Sequence, residues 1–234
     1  LTRIANKNNA AANKIMILDN PNIQRPLQLL LKEFPNYEKI LSKCDNQEII
    51  PKTDEWRYSK GDFYNPIPFR SEIDGFAPPR IIKKSYPSPD EASKNGVYAS
   101  GFLNNALRVI RAPTDLPSVL SLSIYGENTI SFDFNIFHVD LSKNHIGKNL
   151  PRLNGCSSNF KTSPEIQWII TVGRNSNFSV NMIELKDEKP RKELAFASGW
   201  NGEVEYFYNY DELGLLSITT PGKGGGSSFV WQRK

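Results

Sequence analysis

Residues Gly199 to Tyr210 read GWNGEVEYFYNY, and two different proteins follow from two readings of them. Asn201-Gly202 between strand-like runs is a strong two-residue hairpin signal, which makes Glu203 and Glu205 ordinary charges on a wet β face. The other reading makes the two carboxylates the working end of an enzyme. In an extended chain, residues two apart point to the same side. Glu203, Glu205 and Phe207 therefore share one face, while Val204, Tyr206, Tyr208 and Tyr210 share the other.

Working outward, EVEYFYNY is the seventh of eight strand-like runs beyond Asn95, after NALRVIRA, SVLSLSIY, TISFDFNIFHVDL, EIQWIITV, FSVNMIEL and KELAFA and before LLSITT. Gly, Asn and Pro clusters separate most of them, and no strand-helix alternation suggests a doubly wound sheet. Upstream, Ile50 to Pro89 is dense in proline and aromatics (EWRYSKGDFYNPIPF, GFAPPR), which predicts an extended segment draped over a core. Residues 1–50 read differently again. PLQLLLKEF and NYEKILSKC are two short amphipathic stretches split by Pro35. The expectation is an α+β fold with a helical extension over 1–50 and a β-rich domain over 51–234.

At 234 residues the chain can bury a sizeable core. A net charge of +4, from 29 basic and 25 acidic residues spread along the chain, is too weak and dispersed to argue for nucleic acid. No run approaches the roughly 18 apolar residues of a membrane span, so no stable membrane insertion is expected. Cys44 and Cys156 are too few and too distant to form a zinc site, and their spacing leaves pairing open. With only His138 and His145, histidine chemistry is poorly supplied and no metal site is expected. The apolar alternation shifts phase around His138 and Asp140, which suggests a β-bulge rather than a catalytic dyad. GKGGGSS lacks the spacing of a phosphate-binding loop and reads as a flexible connection.

Four features carry candidate chemistry: Arg57 in WRYS; Ser121 and Ser123 in VLSLSI; the apolar strand QWIITV, with its loop and FSVNMIEL; and Glu203-Val204-Glu205 after Trp200. Together they resemble the ADP-ribosyltransferase toxins of the cholera and pertussis type, whose site is an arginine, a Ser-x-Ser strand and Glu-x-Glu. SEIDGFAPP, Ser71 to Pro79, is similar to the segment that follows the arginine in that family. The resemblance implies a two-sheet transferase core and cleavage of NAD as a substrate, without a metal. It further implies ADP-ribose transfer to a host protein such as a G-protein α subunit, a small GTPase or actin. The implied setting is secretion from a bacterium, with or without a delivery subunit, and action in the host cytosol.

On that resemblance Glu205 stabilises the oxocarbenium-like sugar and holds its 2′-hydroxyl. Glu203 orients or deprotonates the acceptor, and as glutamate it favours arginine as the target. Arg57 binds an NAD phosphate, Ser121 braces Glu205, Ser123 lies beside the cofactor, and Trp200 meets the protein substrate. Three departures stand out. Leu122 replaces the usual threonine, Arg70 rivals Arg57, and FLNNAL, with Asn104, stands where a histidine is usual. DFNIFHVDLSKNHIGKNLPRLNGCSS reads as an insertion. A rival reading is a non-catalytic β-sandwich that binds glycan or protein through Trp200, Tyr206, Tyr208 and Tyr210. A retaining glycosidase suits two carboxylates on one strand poorly.

Overall fold

The computed structural model describes residues 17–41, 43, 50–114, 119–126, 130–137, 151–222 and 225–233. His138, His145, Asp140 and Cys44 lie outside them. Helix α1 (Pro21–Leu41) leads into β1 (Glu55–Lys60), the one-turn α2 (Arg70–Ile73), β2 (Arg80–Ile82) and α3 (Pro89–Lys94). Strands β3 (Tyr98–Leu103), β4 (Ala106–Ala112), β5 (Val119–Tyr125), β6 (Ile130–Phe137), β7 (Pro151–Ser163), β8 (Ile166–Gly173), β9 (Phe178–Lys186), β10 (Lys189–Ala197), β11 (Val204–Asp211), β12 (Gly214–Pro221) and β13 (Ser227–Gln232) follow.

All thirteen strands form one antiparallel sheet, in which β3 to β13 run as neighbours in chain order and β1 lies between β3 and β2. The two-sheet α+β core expected from the sequence is therefore absent, and the chain is a single β meander with few helices. All eight strand-like runs fall on strands, the third from Ile130 to Phe137. The error lay in their assembly, because strands consecutive in the chain pair with one another from β3 to β13. The supposed insertion also supplies a strand: β7 is thirteen residues long and pairs with both β6 and β8.

So wide a sheet curls. Eight strands separate β1 from β11, about 43 Å across a flat sheet at about 4.8 Å per strand. Yet Phe69, nine residues beyond the end of β1, rests on Tyr208 of β11 with ring centroids 5.7 Å apart. Residues 61–65 are folded by the turn bonds Phe63 N to Gly61 O and Asn65 N to Asp62 O. Their reach falls short even of the about 30 Å of an extended chain, so the ends of the sheet bend towards each other.

The two faces differ in chemistry. One carries Val109, Leu120, Leu122, Leu153, Cys156, Trp168, Ile170, Val172, Val180 and Phe196, and α1 packs Ile23, Leu30 and Phe34 onto it over β7 and β8. Spacings of seven and four put those three side chains on one helix face. The helix runs through both Pro26 and Pro35, whereas the sequence suggested a break at Pro35. Each internal proline costs about 3 kcal/mol in an isolated helix, and burial of this apolar face offsets that cost. Cys156 is a free, buried thiol in the same core.

The opposite face is mixed. It buries Ile110, Ile169 and Ile183 together with Ser100, Ser157, Asn181, Glu193 and Tyr208, and the loop 61–79 crosses it. Ser157 and Thr171 hydroxyls bond each other there at 2.9 Å.

Candidate functional site

The residues singled out in the sequence divide between the two faces. Leu120 and Leu122 point into the apolar core, so Ser121 and Ser123 point to the mixed face. Ser123 donates to the half-buried Asp133, whose carboxyl desolvation pushes above the usual range. Arg57 is on the same face, next to core-facing Trp56, and falls in the cross-strand row Arg57, Ser100, Ile110, Ser123. Three strand spacings, about 14 Å, separate it from Ser123. Its guanidinium is already engaged. Nε and Nη2 each donate to Glu55 at 2.8 Å, Nη2 also reaches Asn105 Oδ1 at 2.8 Å, and the group stacks 4.1 Å from the Phe102 ring centre.

Glu205 is on the other face, in register with core-packed Leu194, and pairs with Lys192 Nζ at 2.9 Å. Six strand spacings lie between β5 and β11. Glu203 accepts a hydrogen bond from the backbone N–H of Ile17, which ties the turn before α1 to the sheet. Trp200, 44% exposed, is on the six-residue connection 198–203. The structure thus groups Arg57 with Ser121 and Ser123, groups Glu203 with Glu205, and keeps the two groups apart. The aromatic row of the rival reading turns inward: Tyr208 is buried and donates to Glu193 Oε2, while Tyr206 and Tyr210 are half-buried.

Glu203 and Glu205 should therefore differ in stability effects. Glu203→Ala removes a charge-assisted bond to a helix lead-in and should cost about 1–3 kcal/mol. Glu205→Ala breaks a partly exposed ion pair and should cost under about 1 kcal/mol. Thermal melts of the two variants check the order.

A different set of residues does converge. Loop 61–79, GDFYNPIPFRSEIDGFAPP, leaves β1 at Gly61, where φ is +75° and an added Cβ would stand 3.0 Å from Pro79 Cβ. Only glycine fits a positive φ against so close a neighbour, and the contact pinches the two ends of the loop together. Asp62 Oδ2 accepts from Asn65 Nδ2 at 2.9 Å, and Asn65 Oδ1 from Ile67 N at 2.9 Å. Phe69, left-handed at φ 54°, turns the chain into α2 and presses its ring on Tyr208 and Tyr210. A non-glycine residue there costs on the order of 1 kcal/mol, offset by this burial. Gly75, at φ 81°, ends α2, with Phe76 N bonding back to Ser71 O at 2.8 Å.

Between this loop and the ends of β9 to β13 lies a cleft of about 590 Å³. Phe63, Phe69, Pro79, Leu215 and Trp231 line it, and Leu213, 84% exposed, stands at the β11–β12 turn. The polar side chains in the walls include Asp62, Arg70, Glu72, Glu188 and Arg233. Glu72 is 3% exposed and its Oε2 has no hydrogen-bond partner; Asp62 Oδ1 is likewise buried without one. Burial pushes both carboxyls above the usual range.

Behind the cleft, Glu193, 1% exposed, accepts from Asn181 Nδ2 at 2.6 Å and from Tyr208. Burial raises its pKa most, and these bonds and nearby Arg70 counteract part of the rise. Sequence reasoning assigned no role to Glu72, Asp62, Glu193 or Asp133. The available signal was a lone acid among apolar strand residues, in KELAFA and TISFDF. For Glu72 and Asp62 no local signal exists, because the loop's path buries them. Among the described residues no group of three or more potential ligands could hold a metal, and no helix is long and apolar enough to cross a membrane.

No protein-family model, curated protein or solved structure matches the chain.

Proposed function

We propose that the chain is a non-catalytic binding protein that holds a small amphipathic molecule in the cleft between loop 61–79 and the ends of β9 to β13. The observation that carries this is Glu72 Oε2, a buried carboxylate oxygen without a hydrogen-bond partner, in the wall of a cleft of about 590 Å³. That size suits a small organic ligand, and apolar walls with a few convergent polar groups are the usual make-up of such sites. An unsatisfied buried carboxyl costs free energy, and a bound partner recovers it.

Titration with a neutral naphthalene fluorophore tests the reading. Saturable emission enhancement is expected, with quenching of Trp231 that disappears in Trp231→Phe. Leu213→Arg, at a side chain too exposed to support the fold, and Leu215→Arg, in the wall, should each weaken binding about tenfold or more. Saturable binding left unchanged by both would place the probe elsewhere and defeat the proposal.

The transferase reading separates from this one in a single assay. With Arg57 held by Glu55 and Glu205 on the opposite face, the purified protein should release no nicotinamide from NAD. Release that is lost in Glu205→Gln would restore the transferase reading.

A further inference from the structure

We propose that the cleft selects a ligand carrying a protonated amine on an apolar body, with the ammonium received by Glu72. The inference rests on the cleft reading above and adds the chemistry of the head group. Asp62 Oδ1 and Glu72 Oε2 are both acceptors without a donor among the described residues. Asp62 uses its other oxygen for Asn65, and Glu72 accepts from its own backbone N–H.

The two guanidiniums in the walls do not supply the missing cation. Arg70 Nε is held by Asp74 Oδ2 at 2.8 Å and also lies in the field of Glu193. Arg233 is held by Asp211. Both partners stand outside the walls, so each arginine arrives already neutralised, while Asp62, Glu72 and Glu188 make the cleft acidic.

A buried carboxylate without a counter-charge is the costly state, and a cation bonded to it removes both the unmet hydrogen bond and the unmet charge. An ammonium brings both a donor for the open Glu72 Oε2 and the counter-charge. A hydroxyl head would satisfy a lone pair and leave the charge, and a carboxylate head would add repulsion. Phe63, Phe69 and Trp231 then offer ring faces to the apolar body and, near the head, to the cation itself.

Calorimetric titration of the full chain with three phenylbutyl compounds, bearing an ammonium, a hydroxyl or a carboxylate head, tests this. The ammonium should bind about tenfold tighter than the hydroxyl, and the carboxylate weakest. Glu72→Gln, a near-isosteric change that removes a charge burial disfavours, should lower ammonium affinity about tenfold and leave hydroxyl affinity within about twofold. Equal or tighter binding of the hydroxyl or carboxylate form would overturn amine selection and leave the cleft reading standing. So would a preference for ammonium that survives in Glu72→Gln. Binding of none of the three compounds would overturn both.

Discussion

Trp168→Ala should destabilise the protein by about 3–5 kcal/mol, the range for removing a large buried aromatic. Trp168 is 1% exposed at the centre of the apolar face, paired in register with Phe160 and Met182, and its Nε1 donates to Thr162 Oγ1 at 3.1 Å. The strand β8 that carries it also receives α1. Its loss therefore opens a cavity and leaves a hydroxyl without its donor. For a chain of this length the fall in melting temperature should be roughly 6–20 °C. Trp200→Ala is the control. On an exposed connection it should change stability by no more than about 0.5 kcal/mol. Similar losses in both variants would mean that the apolar face is not the core.

Glu193→Leu should be nearly as damaging, for the opposite reason. Leucine fits the space but strands Asn181 Nδ2 and the Tyr208 hydroxyl, both buried on the mixed face. Each stranded group costs about 1–3 kcal/mol. Glu193→Gln keeps an acceptor for Asn181 and should fold close to wild type, with a distinct pH response. Burial raises the folded pKa of Glu193 above its unfolded value. Wild type therefore holds this contribution to stability below the unfolded pKa, about 4.3, and loses it as pH rises through the folded value. Relative to wild type, Glu193→Gln should gain stability across that rise. Denaturant melts between acid and neutral pH read the difference, and equal pH profiles would show that Glu193 is not the titrating group.

These effects show what was legible in the sequence. Runs of β-branched and aromatic residues between Gly, Asn and Pro clusters located β4, β5, β6, β8, β9, β10, β11 and β12. β7 was hidden because it places Ser157 on the mixed face and carries Gly155 and Cys156 where long apolar residues would have marked a strand. β1 looked like draped chain and β3 was not assigned, since Trp56, Tyr58, Ser59 and Ser100 lack a clean period. Of the segment Ile50 to Pro89, read as draped over a core, β1 and β2 instead join the sheet, and between them runs the loop 61–79. Its contact with the far edge of the sheet depends on curvature, a property of thirteen strands together that no local window contains. For the same reason Glu203 and Glu205 share a face as alternation requires, while their separation from Ser121 follows from strand order. Glu72, quoted only as part of a motif, gains its meaning from what the curled sheet brings opposite it.

Hydrogen exchange on the full chain, with and without a saturating neutral naphthalene fluorophore, tests cleft binding most directly. Slowed exchange is predicted in residues 62–79 and at the strand ends around Leu215 and Trp231, with no change along α1, β7 and β8. Protection confined to the α1 face, or saturable binding with no protection of loop 61–79, would contradict the account.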